Sequence, residues 1–153
     1  MKILLDELSG SDFNKSDFPI LFNNELTDKV YGQIHCKKNG FKFAWQSTIV
    51  KPKVSKIDSN IYSIGIDQHF AIVDVNTSQI MLKLDLFYFF YDTRIYNNFI
   101  YVITELEIIR ISQDTFKVHE SYALPDFFEE IEFKERRILI NCSGNKNIVL
   151  DNN

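Results

Sequence analysis

One pattern constrains this chain more than any other: short apolar runs recur along its second half at a near-constant interval. Ile61-Tyr62-Ser63-Ile64 matches Ile100-Tyr101-Val102-Ile103, and Ile72-Val73-Asp74-Val75-Asn76-Thr77 matches Ile108-Ile109-Arg110-Ile111-Ser112-Gln113. A shorter third copy reads Ile138-Leu139-Ile140-Asn141 and then Asn147-Ile148-Val149-Leu150-Asp151. The copies lie 36 to 40 residues apart. Each run is rich in β-branched residues and bounded by Asn, Asp, Ser or Thr, so each reads as a strand ending in a turn. A third strand follows in each full copy, Gln79 to Leu86 or Thr115 to Ala123. A further extended segment runs between copies, Phe87 to Tyr96 and then Phe127 to Phe133, which makes four strands per unit.

A four-stranded unit of about 40 residues, with an apolar-apolar-x-apolar strand leading into a polar turn, resembles a blade of a β-propeller. The resemblance covers residues 60 to 151 and lacks a Trp-Asp dipeptide, a Gly-His signature and a kelch double glycine. Two and a half copies do not close a ring of about four to eight blades. The resemblance implies a mainly β fold of antiparallel sheets, arranged as incomplete propeller-like repeats or as a β-sandwich. A plain antiparallel meander generates the same similarity through alternation alone.

The chain is 153 residues long, 45% hydrophobic and 25% charged, which fits a single domain over 1–153. Residues 1–59 form its amino-terminal hairpin region and 60–151 its blade-like repeats. Val30 to Cys36 and Phe41 to Val50 flank Lys37-Lys38-Asn39-Gly40, where Asn-Gly supplies the positive φ angles of a tight turn. Period two places Phe41, Phe43, Trp45 and Ile49 on one strand face and Lys42, Gln46 and Thr48 on the other. Phe18 to Phe22 reads as a short strand, and Asp12, Asn14, Ser16 and Asp17 as a loop or helix cap.

Cysteine and terminal composition bear on the compartment. Two cysteines, Cys36 and Cys142, do not make the disulfide framework of a small secreted module. After Met1-Lys2 only Ile3, Leu4 and Leu5 precede Asp6 and Glu7, too few for the apolar core of a signal peptide. The apolar run Leu86 to Tyr91 is too short to span a bilayer. The expected location is the cytoplasm, without membrane association.

Charge is unevenly placed. Residues 1–60 carry a balance of +2 and residues 61–153 a balance of −6. Acids are densest at Asp126, Glu129, Glu130, Glu132 and Glu135, a patch that attracts basic proteins and repels nucleic acid, or else a solvated face. Phe87-Tyr88-Phe89-Phe90-Tyr91 would fill both faces of a strand, either inside a core or beneath a partner. Tyr88, Tyr91 and Tyr96 are the aromatic candidates for a partner surface, because a Tyr ring is apolar while its hydroxyl stays wet.

Signals for catalysis are sparse. His35, His69 and His119 belong to no HxH or HExxH pattern, and no Cys-x-x-Cys occurs, so no metal site is spelled out. There is no phosphate-binding Gly-rich loop and no Gly-x-Ser-x-Gly elbow, so no catalytic residue, cofactor or metal ligand is assigned. An enzyme would need His69, His119 and Asp67 to converge. Lys37 to Lys56, with six lysines, no acid and three interleaved aromatics, is the nucleic-acid candidate, opposed by the total charge of −4.

In size, acidity, Asn/Lys/Ile-rich composition and absence of a catalytic set, the chain resembles the immunity proteins of contact-dependent growth inhibition and related polymorphic toxin systems. That resemblance implies an inhibitor of a cognate toxin, a basic nuclease domain in the concrete version, that acts by stoichiometric binding without turnover. A propeller-like scaffold that self-associates through exposed sheet edges is the alternative.

Overall fold

The computed structural model describes residues 3–24 and 29–151, so Met1 and Lys2 of the terminal reading lie outside the described residues. The chain divides into two compact units, the first ending at Leu86 and the second beginning at Phe87. The fold is mainly β, and strands pair almost throughout in antiparallel fashion.

The first unit opens with β1 (Leu4–Leu8), α1 (Gly10–Lys15), β2 (Ile20–Asn23), β3 (Val30–Cys36) and β4 (Asn39–Trp45), which build a sheet in the order β1-β3-β4-β2. Only β2 beside β4 is parallel in it. The amino-terminal region is thus a four-stranded sheet with a helix, more than the expected hairpin. Ser9 starts α1 by accepting a hydrogen bond on its Oγ from the Asp12 backbone N–H at 3.0 Å. The second sheet is a meander of β5 (Lys53–Asp58), β6 (Ile61–Ile66), β7 (His69–Asp74) and β8 (Gln79–Asp85).

The second unit repeats that meander with β9 (Phe90–Tyr96), β10 (Phe99–Thr104), β11 (Glu107–Ser112) and β12 (Val118–Ala123). It then adds β13 (Phe128–Phe133), β14 (Arg137–Cys142) and β15 (Lys146–Asp151) as a three-stranded sheet. The matched sequence runs fall on corresponding strands: β6, β10 and β14 for the first run, and β7, β11 and β15 for the second. The repeat is therefore structural, although each sheet begins one strand before its matched run, at β5, β9 and β13.

Each unit has its own core between its two sheets. In the first, Ile34, Phe41, Phe43 and Trp45 meet Ile64, Ile66, Ala71 and Val73. In the second, Tyr101, Ile103 and Ile108 meet Ile131, Ile138 and Ile140. Fully burying a side chain such as Phe43 or Ile64 contributes roughly 1.5–3 kcal/mol, so these strands anchor the units.

Three local expectations are corrected. The β3–β4 turn is Lys37-Lys38, with Cys36 paired to Asn39 and φ of 55° at Lys37, so the positive angle falls on a lysine. Gly40 is a strand residue opposite His35; a Cβ there would collide with the Ile34 carbonyl oxygen, so glycine is required for close approach. Ile49 does not share the face of Phe41, Phe43 and Trp45, because β4 ends at Trp45 and Ile49 is 91% exposed. Finally, Phe87 to Tyr96 is not one strand: Phe87, Tyr88 and Phe89 precede β9 as an irregular, exposed segment.

Candidate protein-interaction surface

The entry strands of the second unit's two sheets are built alike. β9 starts Phe90-Tyr91 and β13 starts Phe128-Glu129, and each pairs with its neighbour around one extra residue. On β9 the extra residue is Tyr91, between the pairs Ile103↔Asp92 and Thr104↔Phe90. On β13 it is Glu129, between Phe128↔Cys142 and Glu130↔Asn141. A bulge of this kind re-aims the side chain it carries, so Tyr91 and Glu129 take equivalent places one repeat apart.

The Glu105 peptide ties these two entries together. Its N–H donates to the Phe89 carbonyl at 3.1 Å, and its carbonyl accepts from the Phe128 N–H at 2.8 Å. The Tyr91 and Phe128 rings meet edge to face with centroids 5.5 Å apart. Around this frame Phe87 is 82% exposed, Phe127 53%, Phe89 51% and Tyr91 50%, with Tyr88 at the margin. Exposed large apolar side chains gathered on one framework mark an interaction site more often than singly scattered ones do.

Acids flank the aromatic residues. Glu129 and Glu130 line a shallow cleft of about 290 Å³ with Asn141, Cys142, Asn145 and Asn147. Burial pushes the Cys142 thiol up, so this sulfur is a poor nucleophile. Asp126 accepts from the Phe127 N–H at 2.8 Å and from Lys146 Nζ at 3.2 Å, and these bonds, the backbone one first, hold its carboxyl below the usual range. Its role is to hold the turn that presents Phe127.

The predicted residues therefore separate. Asp126, Glu129 and Glu130 lie at one end of β13, Glu132 lies along the strand with Lys134 Nζ 3.8 Å away, and Glu135 is in the turn beyond. Six strand residues span about 20 Å, so Glu135 lies well away from Asp126, whereas Glu130 and Glu132 are alternate residues on one face of β13. Tyr88 and Tyr91 are exposed, whereas Tyr96 stacks on Phe133 at 4.9 Å and packs against the unit's core. The sequence reading named Phe87 and Phe89 within the aromatic run but took only its tyrosines as candidates, and it missed Phe127. Its available signal was the aromatic pair at equivalent points of two repeats, Phe89-Phe90 and Phe127-Phe128.

Other candidates have structural duties. Asp67 Oδ2 accepts from the Gln46 and Ser47 N–H groups at 2.8 and 3.0 Å, His69 stacks on Phe22, and His119 packs against Phe99. Cys36 and Cys142 are both free and buried. Among the described residues no group of three His, Cys, Asp or Glu is placed to hold a metal, and no helix is long and apolar enough to cross a membrane.

No protein-family model matches the chain, and no curated protein matches it in sequence. Solved structures do match in shape. The computationally designed Ika4 protein aligns at a TM-score of 0.55 and 11% identity over 89% of this chain and 92% of that one. Hsv2 of Kluyveromyces lactis aligns at 0.50 and 13% identity over 87% of this chain, but this chain covers only 45% of Hsv2. At such identities the likeness is one of fold: mainly β, in antiparallel propeller-like repeats.

Proposed function

We propose that this protein is a non-catalytic binding module for a basic protein, and that the partner is a cognate bacterial toxin, a nuclease domain in the concrete version, neutralised in the cytoplasm. The observation that carries the reading is the exposed set Phe87, Phe89, Tyr91 and Phe127 beside Glu129 and Glu130. Rigid aromatic rings supply large contact area at low entropic cost. Flanking carboxylates steer a cationic partner and suppress wrong ones. A toxin nuclease presents such a surface because its substrate is a polyphosphate. The test is co-expression with the product of the adjacent upstream reading frame. Growth rescue with a 1:1 complex on gel filtration, both lost in the folded variant Phe87→Ser/Phe89→Ser/Phe127→Ser, is the expected result; a harmless neighbour that forms no complex overturns the toxin reading.

Self-association is a second reading, favoured by one observation: the sheet β13-β14-β15 has three strands where the others have four, so β15 is an edge strand among the described residues. An oligomer in solution that Val149→Lys dissociates would support it.

A further inference from the structure

We propose that the cleft beside the β3–β4 turn of the first unit binds a small organic anion, with Lys37, Lys38 and His35 around its charged group and Phe18 against its apolar part. The proposal is independent of the partner reading, because it concerns other residues on the other unit. The cleft measures about 680 Å³, within the range of small-molecule sites.

Two features suit it to an anion. First, His35 is anchored: its Nε2 lies 2.7 Å from Asp6 Oδ2, and its side chain is only 17% exposed. Second, Lys37 and Lys38, successive residues of the turn, both line the cleft and bring two like charges to it. An anion between the two ammonium groups offsets that repulsion. Asp17 lines the same cleft and accepts from an O–H or N–H of the ligand.

The ligand is small because the rings near these lysines in sequence do not form a stacking platform for bases. Phe41, Phe43 and Trp45 are core residues, and Lys42 Nζ is held by the Phe13 and Ser16 carbonyls. The lysine-rich segment thus lacks the exposed aromatics on which single-strand binding relies.

The experiment titrates the protein with phenyl phosphate, benzoate and inorganic phosphate at constant ionic strength, following the amide resonances of Lys37, Lys38 and Asn39. Saturable shifts with phenyl phosphate or benzoate, at about millimolar affinity or tighter, are expected, and which of the two binds tighter separates a phosphate ester from a carboxylate. Lys37→Ala/Lys38→Ala should weaken the better ligand about tenfold or more, and Phe18→Ala should erase its preference over inorganic phosphate. Lys56→Ala should change nothing. No saturable shift with any of the three, unchanged affinity in the double-lysine variant, or equal binding of inorganic phosphate and both organic anions would overturn the proposal.

Discussion

Lys42 Nζ donates to the Phe13 carbonyl at 2.8 Å and stands 4.7 Å above the centre of the same residue's ring. With a second bond of 2.8 Å to the Ser16 carbonyl, one buried ammonium satisfies the end of α1 and fixes the helix on the sheet. Period two put Lys42 on the face opposite the core aromatics, as observed, but that face is covered too. Lys42→Ala strands two carbonyls and leaves space beneath Phe13, so urea denaturation should show a loss of about 2–4 kcal/mol. Lys42→Met, which keeps most of the volume, should lose less, and equal losses would mean that the ammonium's bonds, and not the vacated space, account for the whole effect.

His69 gives the fold a pH dependence. Its ring lies parallel to Phe22 at 4.6 Å, and its Nδ1 has no hydrogen-bond partner among the described residues. Burial, the largest influence, pushes its pKa below the ordinary 6.5, against the upward pull of Asp85 and Asp67. The unfolded chain therefore takes up a proton near pH 6.5 that the folded chain resists. Stability from this group is complete above that pH and declines as pH falls below it toward the depressed value. Asp6, also held below its usual range, chiefly by its bond to His35, is lost only at lower pH, beneath 3.8. Chemical denaturation should show a decline beginning near pH 6.5, and His69→Phe should flatten it; an unchanged profile in that variant would assign the decline to other groups.

The turn between β3 and β4 separates what residue types reveal from what register reveals. Asn-Gly in the sequence pointed to a hairpin, and the hairpin is there, yet the turn lies two residues earlier because Gly40 is needed opposite His35. Gly40→Ala should cost about 2 kcal/mol or more, since backbone rather than a flexible side chain stands in the way. Lys37→Gly should be neutral or stabilising by about 1 kcal/mol, because it relieves a left-handed lysine. If Gly40→Ala were tolerated, the strand role of Gly40 would fall.

The strand repeat was legible because a strand's apolar period and its polar turns are local properties. The matched Ile-rich runs on β6, β10 and β14 needed nothing more. What was not legible depends on register and partners. Tyr91 and Glu129 were candidates as an aromatic and as an acid, but that they take equivalent places shows only through the bulges, and an extra residue in a pairing leaves no mark in composition. For the same reason Glu135 reads as part of one acidic cluster with Asp126, although the extended strand between them draws these two apart.

The interaction surface predicts that stability and binding separate. Phe87→Ser and Phe127→Ser alter exposed side chains and should change stability by no more than about 0.5 kcal/mol, whereas Ile140→Ala in the core should cost about 2–5 kcal/mol. Against the cognate partner the ranking reverses: each Phe→Ser change should weaken binding about tenfold or more, as expected for aromatic anchors. Glu129→Lys/Glu130→Lys should act chiefly on the association rate and reduce its dependence on salt. Glu135→Lys, in the turn beyond the far end of β13, should do neither. Surface plasmon resonance at two salt concentrations reads all of these, and an equal effect from Glu135→Lys would show that the diffuse charge of the chain, rather than the cleft beside Phe127, attracts the partner.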